Sequence, residues 1–215
     1  MLAASTTSRV VAELRRRVLV GELLPGEPLR QATLADELGT SRVPLREAML
    51  VLAAEGLLVH QPNRGFVVAK RSSDELAQIH PLLGMLESEL LADDFVWPNH
   101  AVLTRLRTLT KRMSGLIDAA HWVDIVPLNR EFHRLLWAQS PRNLVVEEVE
   151  RLWTLASAYI ITSYSTVARR RAAVEEHQAI IEALASRDMD QLRAAHAAHR
   201  DSTRDEADAW IKGFV

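Results

Sequence analysis

The sequence predicts a mainly α-helical protein in two parts: a winged helix-turn-helix over residues 1–70 and an all-helical antiparallel bundle over residues 71–215. The first part combines helical periodicity with two short strand-like runs around a turn. The second part shows only amphipathic helical patterns separated by short breaks. No repeat of fixed period is present, which argues against a solenoid.

Three helices are expected before the strands. Apolar residues recur at near-helical spacing over residues 10–19, and Ser8 is the expected cap of this helix. A short helix is expected over residues 32–38 and ends at Gly39. A third helix is expected over residues 42–55, with its apolar positions on one face.

Two strand-like runs follow, and they predict a hairpin. They cover residues 57–60 and 65–69, with a Pro-Asn turn between them. A polar stretch over residues 70–74 is the expected linker. The helices expected in the bundle cover residues 74–96, 100–119, 121–138, 142–164, 167–186 and 188–212, with a split or kink at Pro127.

Composition excludes several classes of site. The 215 residues include no cysteine, which excludes disulfides, thiolate nucleophiles and cysteine-based zinc sites. The N-terminal residues do not resemble a signal peptide. The longest uncharged run, residues 152–168, is shorter than the roughly 20 residues that a membrane-spanning helix needs. We therefore expect a cytoplasmic protein with no membrane partner.

The start of the third helix carries residues suited to DNA. In a winged helix-turn-helix this helix enters the major groove with its N-terminus first. Arg42 and Arg46 are four residues apart and share a face, where each can bind guanine or phosphate. For either arginine alone, a solvated helix face is the alternative. Arg64 and Gly65 at the hairpin turn suit the minor groove or its phosphates.

Several motifs occur in order at close spacing: residues 34–39, 41–48 and 55–57, and then Arg64-Gly65. With these motifs, residues 8–70 resemble the DNA-binding domain of the GntR regulators, and Ser-Arg-Val-Pro-Leu-Arg-Glu-Ala at residues 41–48 is the strongest piece. Thr33 departs from the family, many members of which have arginine or glutamate there. The positions implied at DNA are Thr33, Ser41, Arg42, Pro44, Arg46, Arg64 and Gly65.

Seven of the eight histidines lie in the expected bundle. A single helical histidine is more often hydrogen-bonded or solvated than a ligand. Asn129 and His133, however, are four residues apart and share a face. Facing helices of a bundle can complete a site of this kind, and imidazoles suit zinc, nickel, copper or iron.

Residues 74–213 resemble the FCD domain of the FadR branch of that family. The resemblance rests on Asn129-Arg-Glu-Phe-His133, on Glu176-His177 with the apolar helix after it, and on His199. It implies a divalent transition metal, zinc or nickel, held by Asn129, His133, His177 and His199. His196 is then expected to be a bystander that faces solvent. Asn129 stands where many members have aspartate, so the site is less negative and favours an anionic effector.

The effector pocket departs from the family at one position. Members that bind carboxylates often have an arginine where this chain has Leu83. The effector is then either more apolar or held by another group. Trp153, Tyr159 and Tyr164 on the long uncharged helix are candidate pocket residues, with core packing as the alternative for each.

Three functions remain open on the sequence. The first is a dimeric repressor that binds operator DNA and responds to a small carboxylate or another metal-chelating metabolite. The second is a metal-dependent hydrolase or lyase that uses the histidine cluster. It lacks an evident general base, because Glu131 and Glu176 adjoin the ligands in sequence and are expected to point elsewhere. The third is a bundle that only dimerises, with neither metal nor effector.

Overall fold

The computed structural model describes the backbone of residues 5–212 and their side chains except at residues 158, 162 and 205–212. The chain divides after Ser72 into two compact units. The first unit contains α1 (Thr6–Leu19), α2 (Gln31–Glu37), α3 (Arg42–Ala54), β1 (Leu58–Gln61) and β2 (Gly65–Val68). The second contains α4 (Ser73–Leu90), α5 (His100–Ser114), α6 (Ile125–Trp137), α7 (Asn143–Ile160), α8 (Val167–Ser186) and α9 (Met189–Lys212).

The first unit is built on the packing of α1 against α3. Leu14 on α1 and Leu45, Met49 and Leu52 on α3 are completely buried. Each such side chain contributes roughly 1.5–3 kcal/mol of burial free energy. The expected cap of α1 was wrong: Ser5 is the N-cap, and its side chain accepts a hydrogen bond from the Ser8 backbone N–H.

The hairpin lies against the same core. β1 and β2 are antiparallel, with Leu58 opposite Val68 and Gln61 opposite Gly65. Phe66 is buried with the helical core residues, and Pro28 forms an isolated bridge with Val67. These contacts hold the turn at residues 62–64 on a fixed stem. The winged helix-turn-helix is therefore confirmed.

The second unit is an all-helical bundle. α8 packs on α9 and α5, α5 packs on α6, and α4 packs on α7. Phe132, Leu136 and Ile180 are completely buried in its core. Within residues 5–212, no helix combines the length and the apolar character needed to cross a bilayer.

Some helix boundaries differ from those expected. α4 ends at Leu90, and the following segment is not helical, although Leu91 and Phe95 remain buried and extend the apolar pattern. The helix expected over residues 121–138 is split into a 3₁₀ helix (Trp122–Asp124) and α6, which begins at Ile125. Pro127 lies in the first turn of α6, where proline is tolerated. α7 ends at Ile160 and continues as a 3₁₀ turn to Tyr164.

Candidate functional site

The N-terminal turns of α3 present an exposed basic surface. Arg42 and Arg46 are exposed, and Pro44 between them is half-buried. The arginines at residues 15–17 of α1, in contrast, pair with glutamates. In the part of the chain that the structure describes, Arg42 and Arg46 form no ion pair. Their guanidinium groups are therefore available to a partner.

The cap of α3 is also available. Ser41 is the N-cap residue, but its side chain does not bond to the helix. The first backbone N–H groups of a helix have no intrahelical acceptor, and they favour anions such as phosphate. Gly39, in the turn before α3, has a φ of 57°, a left-handed conformation that favours glycine.

The other residues predicted to contact DNA lie in the same unit. Arg64 is exposed at the hairpin turn, and Gly65 follows it with a φ of 73°. Thr33 is exposed on α2. The structure therefore places Ser41, Arg42, Pro44 and Arg46 together on α3, whereas Thr33 and the hairpin residues lie on separate elements.

Three histidines from three helices of the second unit converge. His133 of α6, His177 of α8 and His199 of α9 each offer a nitrogen, and these atoms all lie within 4.8 Å of one another. All three rings are buried, with His177 completely inaccessible. Asn129, one turn before His133, is buried as well.

The unmet hydrogen-bonding capacity of these groups fits a metal ion. Among the described residues, neither nitrogen of His177 has a hydrogen-bond partner, and the same holds for Asn129 Oδ1. The Nε2 atoms of His133 and His199 are 3.1 Å apart. Two imidazoles on a tetrahedral zinc at 2.0–2.1 Å have nitrogens about 3.3 Å apart. The donor set therefore suits a divalent transition metal.

The burial of His133 and His177 favours the neutral, ligating form of these two imidazoles. Burial is the main cause that lowers the pKa of His133 and His177 well below the ordinary value. Neighbouring imidazoles, above all His199, lower the pKa of both further. A neutral imidazole has a lone pair to donate to a metal.

Glu176 participates in the cluster, contrary to the sequence-based expectation. His199 Nδ1 donates to Glu176 Oε2 at 2.6 Å, and Arg169 and Ser202 also donate to this carboxylate. Burial raises the pKa of Glu176, but these partners outweigh it and the pKa is lowered. A proton held on Nδ1 leaves His199 Nε2 free as a ligand, which is the usual arrangement behind a metal-binding histidine.

His196 is buried, although the sequence-based prediction was that it faces solvent. It is 3% exposed, and its ring centroid is 6.0 Å from that of His133. Burial is the main cause that lowers its pKa to about 3. His196 and His199 are three residues apart on α9 and share the inward face, so the same packing buries both.

A cavity of about 50 Å³ adjoins the histidines. Its lining residues include Asn129, His133, His196 and His199, together with Leu83 and Trp153. Tyr159 and Tyr164 are not among its lining residues. Tyr159 lies within α7, six residues after Trp153, and therefore on a different face of that helix. Tyr164 lies in the 3₁₀ turn that follows α7. Tyr164 is buried in the bundle core, and Tyr159 packs half-buried against it.

Two ionisable groups of the cavity had no signal in the sequence. Glu87 of α4 is buried at 3% exposure. Burial raises its pKa to about 7, although Arg200 acts in the opposite direction. Arg200 of α9 also lines the cavity.

Two family profiles match the chain. "Bacterial regulatory proteins, gntR family" matches residues 6–68, and "FCD domain" matches residues 75–202. The chain belongs to the GntR family, in the branch with an FCD domain. Both resemblances of the sequence are therefore confirmed.

Curated and solved relatives agree with this assignment. The HTH-type transcriptional regulator McbR of Escherichia coli K12 is 26% identical over 198 residues, covering 90% of this chain and 88% of McbR. The gluconate operon transcriptional repressor of Bacillus licheniformis is 23% identical, and the match covers 97% of this chain and 88% of that repressor. The E. coli McbR/YncC structure has a TM-score of 0.80 at 24% identity, covering 93% and 95% of the two chains. A GntR structure from Rhodococcus sp. RHA1 has a TM-score of 0.78 at 20% identity, and the match covers 98% of this chain and 99% of that one. The chain is thus a transcription regulator, and the comparisons give the hydrolase or lyase alternative no support.

For this GntR-family regulator, Glu176→Gln is expected to weaken metal binding about 10–100-fold, because the carboxylate behind His199 orients the ring and raises its basicity. Competition with a chelator of known affinity measures the effect. Glu175→Gln, on the neighbouring exposed residue of α8, is the matched control. Equal affinity in the two variants would contradict a supporting role for Glu176.

Glu87→Gln is expected to stabilise this regulator at pH 8 and to have little effect near pH 4. The carboxyl has a folded pKa of about 7 against an ordinary 4.5, so between these values the folded state binds more protons than the unfolded state. Its contribution to the free energy of unfolding therefore falls as pH rises from about 4.5 to 7. The Tm difference from wild type, measured across pH, should grow over that window. Glu147→Gln, on an exposed residue of α7, should show no such trend.

Proposed function

We propose that this GntR-family chain is a cytoplasmic homodimeric repressor that binds operator DNA and releases it when a small organic acid binds beside a metal ion in the FCD domain. The proposed effector sensing rests on one observation: three buried histidines from three helices have ligand atoms within 4.8 Å of one another. The proposed DNA binding rests on the exposed arginines of α3.

Asn129, His133, His177 and His199 would hold the metal. Three neutral imidazoles and one amide oxygen suit zinc or nickel. The bound ion would act as a Lewis acid toward a carboxylate or hydroxyl oxygen of the effector. The amide of Asn129 adds no negative charge, which favours an anionic effector.

The same groups argue against a bundle that only dimerises. A buried polar atom without a partner costs roughly 1–3 kcal/mol. His133, His177 and His196 together contain four such nitrogens among the described residues. A purely structural core would be more stable with apolar side chains at these positions. A bound metal ion would give a partner to one nitrogen of each imidazole that binds it.

On the DNA side, Arg42 and Arg46 are the residues for groove and phosphate contacts, with Ser41 at phosphate and Pro44 shaping the helix start. Arg64 and Gly65 are the wing contacts, and Thr33 is a further candidate on α2. Two-fold operators are read by two-fold proteins, which supports the dimer. The relative from B. licheniformis is named a repressor, and this supports repression.

Elemental mass spectrometry of untagged protein, on wild type and on His133→Ala, tests the sensing half. About one equivalent of a transition metal per chain in wild type, and its loss in the variant, is the expected result. His100→Ala, on an exposed residue of α5, is the control and should keep the metal. Wild-type protein without metal, even after loading with zinc or nickel, would overturn the metal centre and leave the DNA-binding half intact.

A further inference from the structure

Arg200 is an incompletely bonded guanidinium at the cavity. Its Nη1 lies 3.5 Å from Gly84 O and 4.0 Å from Glu87 Oε2, and its Nε lies 3.5 Å from Asp201 Oδ1. These separations exceed the 2.7–3.2 Å of ordinary N–H···O bonds. Arg170 of α8, in contrast, donates two bonds of 2.7 Å to backbone oxygens. Arg200 retains donor capacity that a ligand can use.

Glu87 offers the complementary group on the facing helix. Its Oε2 has no hydrogen-bond partner among the described residues. A buried acceptor of this kind is costly to leave unmet. Glu87 and Arg200 both line the cavity, so one small ligand can reach both.

Gly84 makes room for the guanidinium. A Cβ built at Gly84 would lie 3.3 Å from Arg200 Nε and 3.4 Å from Cζ. Glycine inside a helix costs roughly 1 kcal/mol relative to alanine. Gly84 lies within α4, where its backbone does not require glycine, and the close approach of Arg200 gives a physical reason for it.

We infer that Arg200 and Glu87 form a two-point clamp, in which Arg200 binds the carboxylate of the effector and Glu87 accepts a hydrogen bond from a donor on it. The arginine that the family resemblance implies is replaced by Leu83, and the clamp supplies the anion contact from α9 instead. The inference rests on the proposed effector site and specifies its ligand class.

The size of the cavity limits that ligand. A cavity of about 50 Å³ has room for only a few groups of the size of a water molecule, because one water needs about 10–15 Å³ of such space. This size favours a compact carboxylate, and the unpartnered Glu87 Oε2 favours one with a donor next to the acid group, as in a short 2-hydroxy acid.

Three matched probes test the clamp: glycolate, acetate without the donor, and glycolamide without the charge. Isothermal titration calorimetry on full-length, metal-loaded protein should show glycolate binding at least tenfold tighter than either analogue, since a hydrogen bond to a charged group contributes a factor of roughly 10–100. Arg200→Gln should reduce the preference for glycolate over glycolamide. Glu87→Gln should reduce the preference for glycolate over acetate.

Gly84→Ala distinguishes an effect of Arg200 on glycolate binding from an effect on protein stability. It should raise Tm because alanine favours the helix, and it should still weaken glycolate binding because the methyl group displaces Arg200. Arg171→Gln, on an exposed residue of α8, should change neither quantity.

The outcomes distinguish this inference from the proposed function. Glycolate binding with unchanged preferences in Arg200→Gln and Glu87→Gln would overturn the clamp and leave the metal-dependent sensor intact. Failure of all three probes to bind metal-loaded wild type would also overturn it. The metal content of the same samples is measured in parallel. If wild-type protein contains no metal, the metal centre is wrong. If that metal-free protein still binds glycolate in a way that depends on Arg200, the clamp is supported.

Discussion

Replacing His177 by alanine is expected to abolish metal binding and to lower the Tm of the metal-loaded protein by roughly 10 °C. A ligand that binds only the folded state stabilises it, by about 4 kcal/mol when present at a thousand times its Kd. For a chain of this size, 1 kcal/mol corresponds to about 2–4 °C. Differential scanning calorimetry with and without a chelator measures the effect.

The packing of His177 requires a second variant. Its ring lies 4.2 Å from that of Phe132 and is completely buried, so alanine also leaves a cavity. His177→Phe removes the ligand and keeps an aromatic ring against Phe132. The chelator should lower the Tm of wild type and of His121→Ala, an exposed control, but not that of either His177 variant. A chelator response that persists in both His177 variants would exclude this residue from the ligand set.

The sequence predicts the architecture because the relevant signals are local. Helical periodicity, the glycine turn before α3 and the Pro-Asn turn of the hairpin each act over a few residues. The histidine ligands were different: spacing related Asn129 to His133 on one helix and His196 to His199 on another, but it could not bring the two helices together. Placing His177 and His199 with them needed the family resemblance, because contacts between helices depend on tertiary packing.

The wrong or missed predictions have physical causes. Glu176 was dismissed because neighbours on a helix point in different directions, but its side chain reaches His199 across the packed α8–α9 pair. The spacing of His196 and His199 contained the signal that they share a face. Tyr164 was placed on a continuous helix, and the 3₁₀ turn after Ile160 changed its direction. Arg200 was missed because nothing local marks which arginine of a polar helix meets a cavity.

Arg46→Ala is expected to weaken operator binding by about 1–3 kcal/mol per half-site, or roughly 5–150-fold, if the guanidinium forks onto a guanine. The basis is an exposed arginine on the second turn of α3, four residues after Arg42 and without an ion pair among the described residues. Fluorescence anisotropy at fixed salt, on a duplex selected by the protein from random DNA, measures the change. Arg107→Ala, on an exposed residue of α5, is the control and should bind as wild type does.

Arg46→Lys then identifies what the side chain contacts. Lysine keeps the positive charge but lacks the bidentate donor geometry of a guanidinium group. If Arg46 contacts a guanine, Arg46→Lys should restore little of the lost affinity. If Arg46 contacts a phosphate, it should restore most of it. Loss of a phosphate contact also lowers the slope of log K against log salt by about one, whereas a base contact changes preference at one position of the site. Wild-type affinity in Arg46→Ala would mean that α3 does not enter the groove with this face. The DNA contacts would then have to be sought on the hairpin and α2.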